Sequence, residues 1–304
     1  MGTLIAKKAW HILMVFDVQV RMYGMIGGKQ NEEMTVINDV ERLRKTKCFL
    51  MDMDGTIYLG DQLLPGARDW LSLLEERTIP YYFLTNNSSR SRVEYAQKLS
   101  GLGLSVPEEK IYTSGEATAI YLKGAYPDAS LYVVGTPPLR EEFSRHGFQQ
   151  TNQNPDVAVL GFDTTLTYEK LWKLCDLVVA GKPYIATHPD INCPTPTGFM
   201  PDIGAMIELV AASTGRRPDV IVGKPYAPIV ESLAQKTGFP VDAHCMVGDR
   251  LYTDIALCRW GITTALVLSG ETQLEDLETS EFQPDFLLEG ISAMAALLRK
   301  ALDE

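Results

Sequence analysis

The stretch FLMDMDGTIYLG at residues 49–60 ends an apolar run in an unusual way. Phe49, Leu50 and Met51 have the character of a buried strand, yet Asp52 and Asp54 follow at once, one Met apart, with Gly55 and Thr56 behind them. Two carboxylates about 4 Å apart repel by roughly 4 kcal/mol at an effective dielectric of 20, and a divalent cation at that range attracts each about twice as strongly. A strand that ends in paired carboxylates therefore implies a bound cation. In open α/β sheets, ligands sit beyond the carboxyl ends of the strands. The stretch points to such a sheet and to its site at the same time.

Outward from it, short apolar runs alternate with helical periodicity, the pattern of a parallel sheet covered by helices. KCFLM, YYFLT (81–85) and IYTS (111–114) read as strands, with amphipathic helices GARDWLSLLEERT, SRVEYAQKLSGLG and GEATAIYLKGAYP after them. From about residue 129 the organisation restarts: LYVVG, VAVLGFD and YIATHPD are strand candidates interleaved with PLREEFSRHGF and TYEKLWKLCDLVVAG as helices, Trp172 and Cys175 being expected in the core. VIVGKP, AHCMVGD and TTALVLSG then resume the first pattern, and ISAMAALLRKAL closes the chain as a helix. The expected fold class is α/β: a doubly wound, Rossmann-like parallel-sheet core with an inserted α/β cap domain. The expected divisions are an extension at 1–34, core at 35–128, cap at 129–218 and core again at 219–304.

The chain has 304 residues, 45% of them hydrophobic and 22% charged, enough to bury a proper core. A net charge of −11 argues against a nucleic-acid or anionic-membrane binder, because the long-range field repels polyanions. Any phosphate must then be held by a strong local positive site. Five cysteines without a CxxC pair suit a reducing compartment, and the expected location is cytoplasmic.

Four strand ends carry distinctive polar groups: Asp52 with Asp54, Thr85 with Asn86, Lys224, and Asp249 with Asp254. All-oxygen ligands suit Mg²⁺ rather than Zn²⁺, which prefers nitrogen and sulfur. Asp54 is the natural carboxyl to hold a proton, since a neighbouring negative charge raises its pKa, and it can serve as acid and then as base. Asp52 stays ionised and can attack a phosphomonoester, giving an aspartyl-phosphate. Thr85 and Asn86 precede a helix entrance rich in Ser88, Ser89 and Ser91, which suits an anion, and Lys224 supplies a cation. Gly55 lets the backbone approach phosphate. The loop THPDINCPTPTGF at 187–199 is broken by prolines, and His188, Asp190 and Phe199 in it are candidates for contact with the substrate.

DMDGT (52–56), TNNS (85–88), GKP (223–225) and GDRLYTD (248–254) resemble, in order, the four motifs of the haloacid dehalogenase superfamily of phosphatases. TNNS, the long insertion, IYTSGEAT and ATHPD are similar to its class IIA branch, which includes NagD-like, nitrophenyl phosphate and phosphoglycolate phosphatases. The resemblance implies that Asp52 is the nucleophile and Asp54 the acid/base, and that Thr85, Asn86 and Lys224 grip phosphate. It implies that Asp52, the backbone carbonyl of Asp54, and Asp249 hold Mg²⁺, with Asp254 acting through water. It implies a small phosphorylated metabolite as substrate and allows for a homodimer through the cap. Two other readings share these residues: a phosphomutase-like phosphotransferase, and a non-enzymatic phospho-receiver module. The large insertion speaks against the first, because such mutases generally carry a small helical cap. An acid/base two residues after the nucleophile speaks against the second, whose aspartyl-phosphate must persist.

Deleting the chain up to Met34 is expected to leave kcat and thermal stability nearly unchanged. Steady-state kinetics and thermal melts check this, and a large loss in either would show that the segment packs on the core.

Overall fold

The structure is a computed structural model that describes residues 40–195 and 197–303, with the backbone of short strands between residues 11 and 37. Backbone strands His11–Leu13, Gln19–Tyr23 and Met34–Ile37 form an antiparallel ladder. The remainder of the expected extension at 1–34 lies largely outside the described residues, as does its dispensability.

Three strand–helix units come first: β1 (Cys48–Met51) with α1 (Ala67–Glu76), β2 (Tyr81–Thr85) with α2 (Arg92–Gly101), and β3 (Ile111–Thr113) with α3 (Ser114–Ala125). Next come β4 (Leu131–Val134), α4 (Pro137–Arg145), β5 (Val157–Leu160), α5 (Tyr168–Val179) and β6 (Tyr184–Ala186). A hairpin of β7 (Asn192–Thr195) and β8 (Gly198–Pro201) leads to α6 (Ile203–Thr214) and β9 (Val220–Ile221). α7 (Ala227–Thr237), β10 (His244–Gly248), β11 (Thr263–Val267), β12 (Phe286–Leu288) and α8 (Ile291–Asp303) complete the chain.

Six strands form one parallel sheet in the order β3-β2-β1-β10-β11-β12. Its central strands are buried on both faces, which is why they read as unbroken apolar runs. The chain winds away from β1 in one direction and from β10 in the other, so the topological switch point lies between these strands. Asp52 follows one of them and Asp249 the other.

The second sheet is also parallel, in the order β4-β5-β6-β9. The sequence reading assigned VIVGKP to the first sheet; instead Val220 and Ile221 pair with Ile185 and Ala186. A short apolar run looks the same in either sheet, and only the contact with β6 decides. The loop 187–199 overlaps the two-stranded β7–β8 hairpin, whose exposed edges tolerate Pro194 and Pro201.

One face of the six-stranded sheet packs on α1 and α8, with Trp70 edge-on to Phe49 at 5.1 Å between ring centres. The other face carries α3 and α7, whose Ala117, Leu122, Ile229 and Leu233 lie in one apolar cluster with Leu84, Tyr112 and Met246 of this sheet and Leu131, Val133 and Ile185 of the second. The two sheets are thus held together by buried apolar area, the strongest non-directional force available. Trp172, expected inside, is 63% exposed on the outer side of α5, while Cys175 is half-buried. Among the described residues, no helix is long and apolar enough to cross a membrane.

Candidate active site

At the end of β1, the Asp52 amide donates to Val247 O at 2.9 Å, tying the first carboxylate to β10. The chain then turns tightly, the Met53 carbonyl accepting from Ile57 N at 2.9 Å. Gly55 has φ 82°, and a Cβ there would stand 2.5 Å from Asp249 Oδ2. Its N–H goes to Tyr58 O at 2.8 Å. Gly55, expected to serve phosphate, therefore serves the turn and the close approach of Asp249.

Asp249 is fully enclosed: Glu271 N donates to Oδ2 at 2.7 Å and Thr56 Oγ1 to Oδ1 at 3.3 Å. Asp254 is buried beside Gly248, where a Cβ would lie 2.4 Å from its carboxyl carbon. Asp52, Asp249 and Asp254 each offer a carboxylate oxygen, and these oxygens lie within 4.8 Å of one another. Burial pushes the carboxyls of Asp249 and Asp254 above the usual range, and the charge of Asp52 adds to this.

Lys224 answers part of that charge. Its buried Nζ donates to Asp52 Oδ1 at 2.7 Å, Asp254 Oδ1 at 2.6 Å and Leu84 O at 2.8 Å, using all three protons. Burial alone would lower its pKa, but Asp254 and Asp52 outweigh burial and raise it, so the amine stays charged. α7 begins at Ala227 with Pro228 in its first turn, so Lys224 lies just before the helix.

Asn86 does not face the cavity with a free amide. Its Nδ2 donates to Lys224 O at 3.0 Å and to Asp190 Oδ1 at 2.8 Å, while Oδ1 accepts from Lys224 N at 2.8 Å. Expected to grip phosphate, it braces the backbone that carries Lys224. Thr85 Oγ1 accepts from Asn87 N at 3.1 Å. The helix read from SRVEYAQKLSGLG begins at Arg92, with Ser91 and Glu94 forming a capping box.

Asp54 is partly open to the cavity. Loss of solvation raises its pKa, Lys98 opposes this, and Asp52 raises it further. The cavity has an empty volume of about 420 Å³ with the open solvent at its mouth included, and Asp52, Asp54, Thr85, Asn86, Asp190 and Lys224 line it. Asn87, Cys193, Pro194, Asp202, Arg250 and Thr253 also line it and were not singled out from sequence. Arg250 and Thr253 stand inside GDRLYTD, where a signal was available; Asp202, the cap of α6, stands in no motif.

The three loop candidates part company. His188 is wholly buried and lines no part of the cavity: its Nε2 lies 3.0 Å from Asp202 Oδ1 and its Nδ1 3.1 Å from Thr187 Oγ1. Asp190 lines the cavity but accepts from Asn86 and from Arg250 at 3.0 Å, so it links the loop to the first sheet. Phe199 is 71% exposed on the hairpin, away from the cavity.

Residues 49–149 match the family model described as haloacid dehalogenase-like hydrolase, and residues 221–294 match a HAD-hydrolase-like model. The chain is similar to the 5'-nucleotidase YutF of Bacillus subtilis, 34% identical over 82% of this chain and 98% of that one. The chain belongs to the haloacid dehalogenase-like hydrolases. An acid sugar phosphatase of Staphylococcus epidermidis is 32% identical over 85% of this hydrolase and the whole of the relative. Among solved structures, a 4-nitrophenylphosphatase from Thermotoga maritima is 46% identical, with TM-score 0.81 over 84% of this chain and 98% of that one. With these neighbours the hydrolase falls in the class IIA, NagD-like branch of phosphatases.

His188 carries a pH prediction. Burial by itself lowers its pKa, but Asp202 outweighs burial and holds it above the ordinary value. A raised folded pKa stabilises below the unfolded pKa, and the benefit is lost as pH rises through the folded value. His188→Gln is expected to cost about 2 kcal/mol at acidic pH, with the gap narrowing as pH rises well above about 6.5. Paired thermal melts across pH check this, groups common to both proteins cancelling. Asp190→Ala is expected to lower kcat on every substrate, because it frees Asn86 and so Lys224. A change confined to KM on the larger of two substrates would show instead that Asp190 only recognises substrate.

Proposed function

We propose that this hydrolase is a Mg²⁺-dependent phosphomonoesterase that acts on a small phosphorylated metabolite through an aspartyl-phosphate on Asp52. The observation that carries the reading is Asp52 at the switch point, oriented by Lys224 at 2.7 Å and ringed by Asp249 and Asp254. Such a nucleophile is held in place by an ion pair and lines the cavity.

The donor set fits a hard divalent cation: three carboxylates converge with neither histidine nor cysteine among them. Asp52, Asp249 and Asp254 would hold it, with the backbone carbonyl of Asp54 as the family resemblance implies. When bound, Mg²⁺ supplies positive charge that lets a phosphate dianion approach these carboxylates. The protein's own residues do the remainder. Asp52 attacks phosphorus in line with the leaving oxygen. Asp54 gives that oxygen a proton and afterwards takes one from the water that opens the aspartyl-phosphate. Lys224 keeps Asp52 aimed, and Asn86 keeps Lys224 in place. The segment from β4 to β9 acts as a cap over the cavity, to whose lining it contributes Asp190, Cys193, Pro194 and Asp202.

A cavity lined mainly by polar groups suits a small hydrophilic leaving group. A sugar phosphate or nucleoside monophosphate fits that description, in keeping with the names of the relatives.

Asp52→Asn keeps the shape and removes the attacking charge, so hydrolysis of nitrophenyl phosphate is expected to fall by a factor on the order of 10³ or more. EDTA is expected to abolish activity and Mg²⁺ to restore it, with Asp249→Ala demanding far more metal. Substantial turnover by purified Asp52→Asn protein, or full activity after exhaustive chelation, would overturn the reading.

A further inference from the structure

We propose that Lys98 and Tyr58 are positioning residues that hold the Asp54 carboxyl where it can protonate the leaving oxygen. The inference rests on the role of Asp54 proposed above and adds two residues that lie outside every motif's reacting positions.

Asp52 extends directly from a strand, but Asp54 sits on a turn with about half of its side chain open, 49% against 14% for Asp52. Left alone, such a carboxyl samples several rotamers. Each of its oxygens has a separate partner. Tyr58 OH donates to Oδ2 at 3.2 Å. Lys98 Nζ stands 3.9 Å from Oδ1, an ion pair too long for a direct hydrogen bond. The two partners also hold each other: Lys98 Nζ lies 3.8 Å above the centre of the Tyr58 ring, a cation–π contact.

Both partners come from rigid places. Tyr58 is fully buried, opens a small hairpin (Tyr58–Leu59 with Gln62–Leu63), and its carbonyl accepts the Gly55 N–H. Lys98 lies on α2, whose start is secured by the Ser91–Glu94 box. The backbone turn and a separate helix therefore fix one carboxyl from two directions. Tyr58 donates to Oδ2 and leaves Oδ1 turned toward Lys98.

The chemistry then balances. In the first step a lone pair of Asp52 forms the new bond to phosphorus, the bond from phosphorus to the leaving oxygen breaks, and that oxygen takes the electron pair and the proton from Asp54. Negative charge develops on Asp54 as it does so, and the Lys98 cation faces that charge. In the second step Asp54 takes a proton from water, the water oxygen bonds to phosphorus, and the bond to Asp52 breaks to release phosphate.

A proton on the leaving oxygen matters greatly for a poor leaving group and little for nitrophenolate. The test is therefore kcat/KM over a series of aryl phosphates of similar size, from nitrophenyl to phenyl phosphate, which reports the step in which the leaving group departs. Lys98→Met is expected to lower kcat/KM about tenfold on phenyl phosphate and less than about threefold on nitrophenyl phosphate, a part of the 10²–10⁴ that general acid catalysis supplies. Tyr58→Phe should steepen the dependence in the same way, and Lys98→Arg should restore much of it. Thermal melts of each variant ensure that folded proteins are compared. An equal fall across the series, or no fall, would overturn the inference while leaving the phosphatase reading intact. Absence of turnover by the wild-type protein with Mg²⁺ would overturn that reading and this inference with it.

Discussion

The buried ammonium of Lys224 between Asp52 and Asp254 is the contact on which the site depends. Removing one partner of such a pair strands a charge in a medium of low polarity, a cost of roughly 3–5 kcal/mol. The fold accepts that exposure to risk because the carboxylates must lie close enough to share a cation, and close carboxylates repel. Lys224 lessens the repulsion with three donors and no acceptor, and it occupies one side of the cluster while another stays open to the cavity. Asp249, without a lysine of its own, is tied instead by a backbone amide and a threonine hydroxyl.

A chain of contacts carries that constraint outward. Asn86 binds both backbone groups of Lys224 and also Asp190, and Asp190 receives Arg250 from the loop after β10. Residues from four separate strand ends are thus linked through one amide and one carboxylate. His188 and Asp202 form a second buried pair, Asp202 facing the cavity. With the apolar cluster shared by both sheets, these polar links leave the loop a defined position against the core. A precise site needs such support, since an error of about 1 Å can cost a hundredfold in rate.

The residues at the rim divide by how firmly they are held. Asp52, Asp249 and Asp254 are enclosed, whereas Asp54 is half open and depends on Tyr58 and Lys98. That difference matches their proposed duties: metal ligands need to stay fixed, and an acid/base must reach both the leaving group and water. Phe199 and Trp172 stand outside this machinery, each exposed on the surface of the segment between β4 and β9.

The sequence by itself determined the fold class and the cluster at its centre. Apolar runs ending in Asp52 and Asp249 announce buried parallel strands and their ligand end, and both signals are local: residue type, and spacing along one element. Side-chain direction beyond the strand end is not local, and there the tertiary structure decided. Asn86 and Gly55 stand in recognisable motifs, yet their hydrogen bonds run to Lys224 and Tyr58, and no spacing reveals that. His188 looks like a loop residue until Asp202, fourteen positions on, closes over it. Val220 and Ile221 could pair with either sheet, and Lys98 reads only as a charge on a helix. Each outcome turns on a contact between groups distant in the chain, whose energy exists only once the two sheets have packed and excluded water.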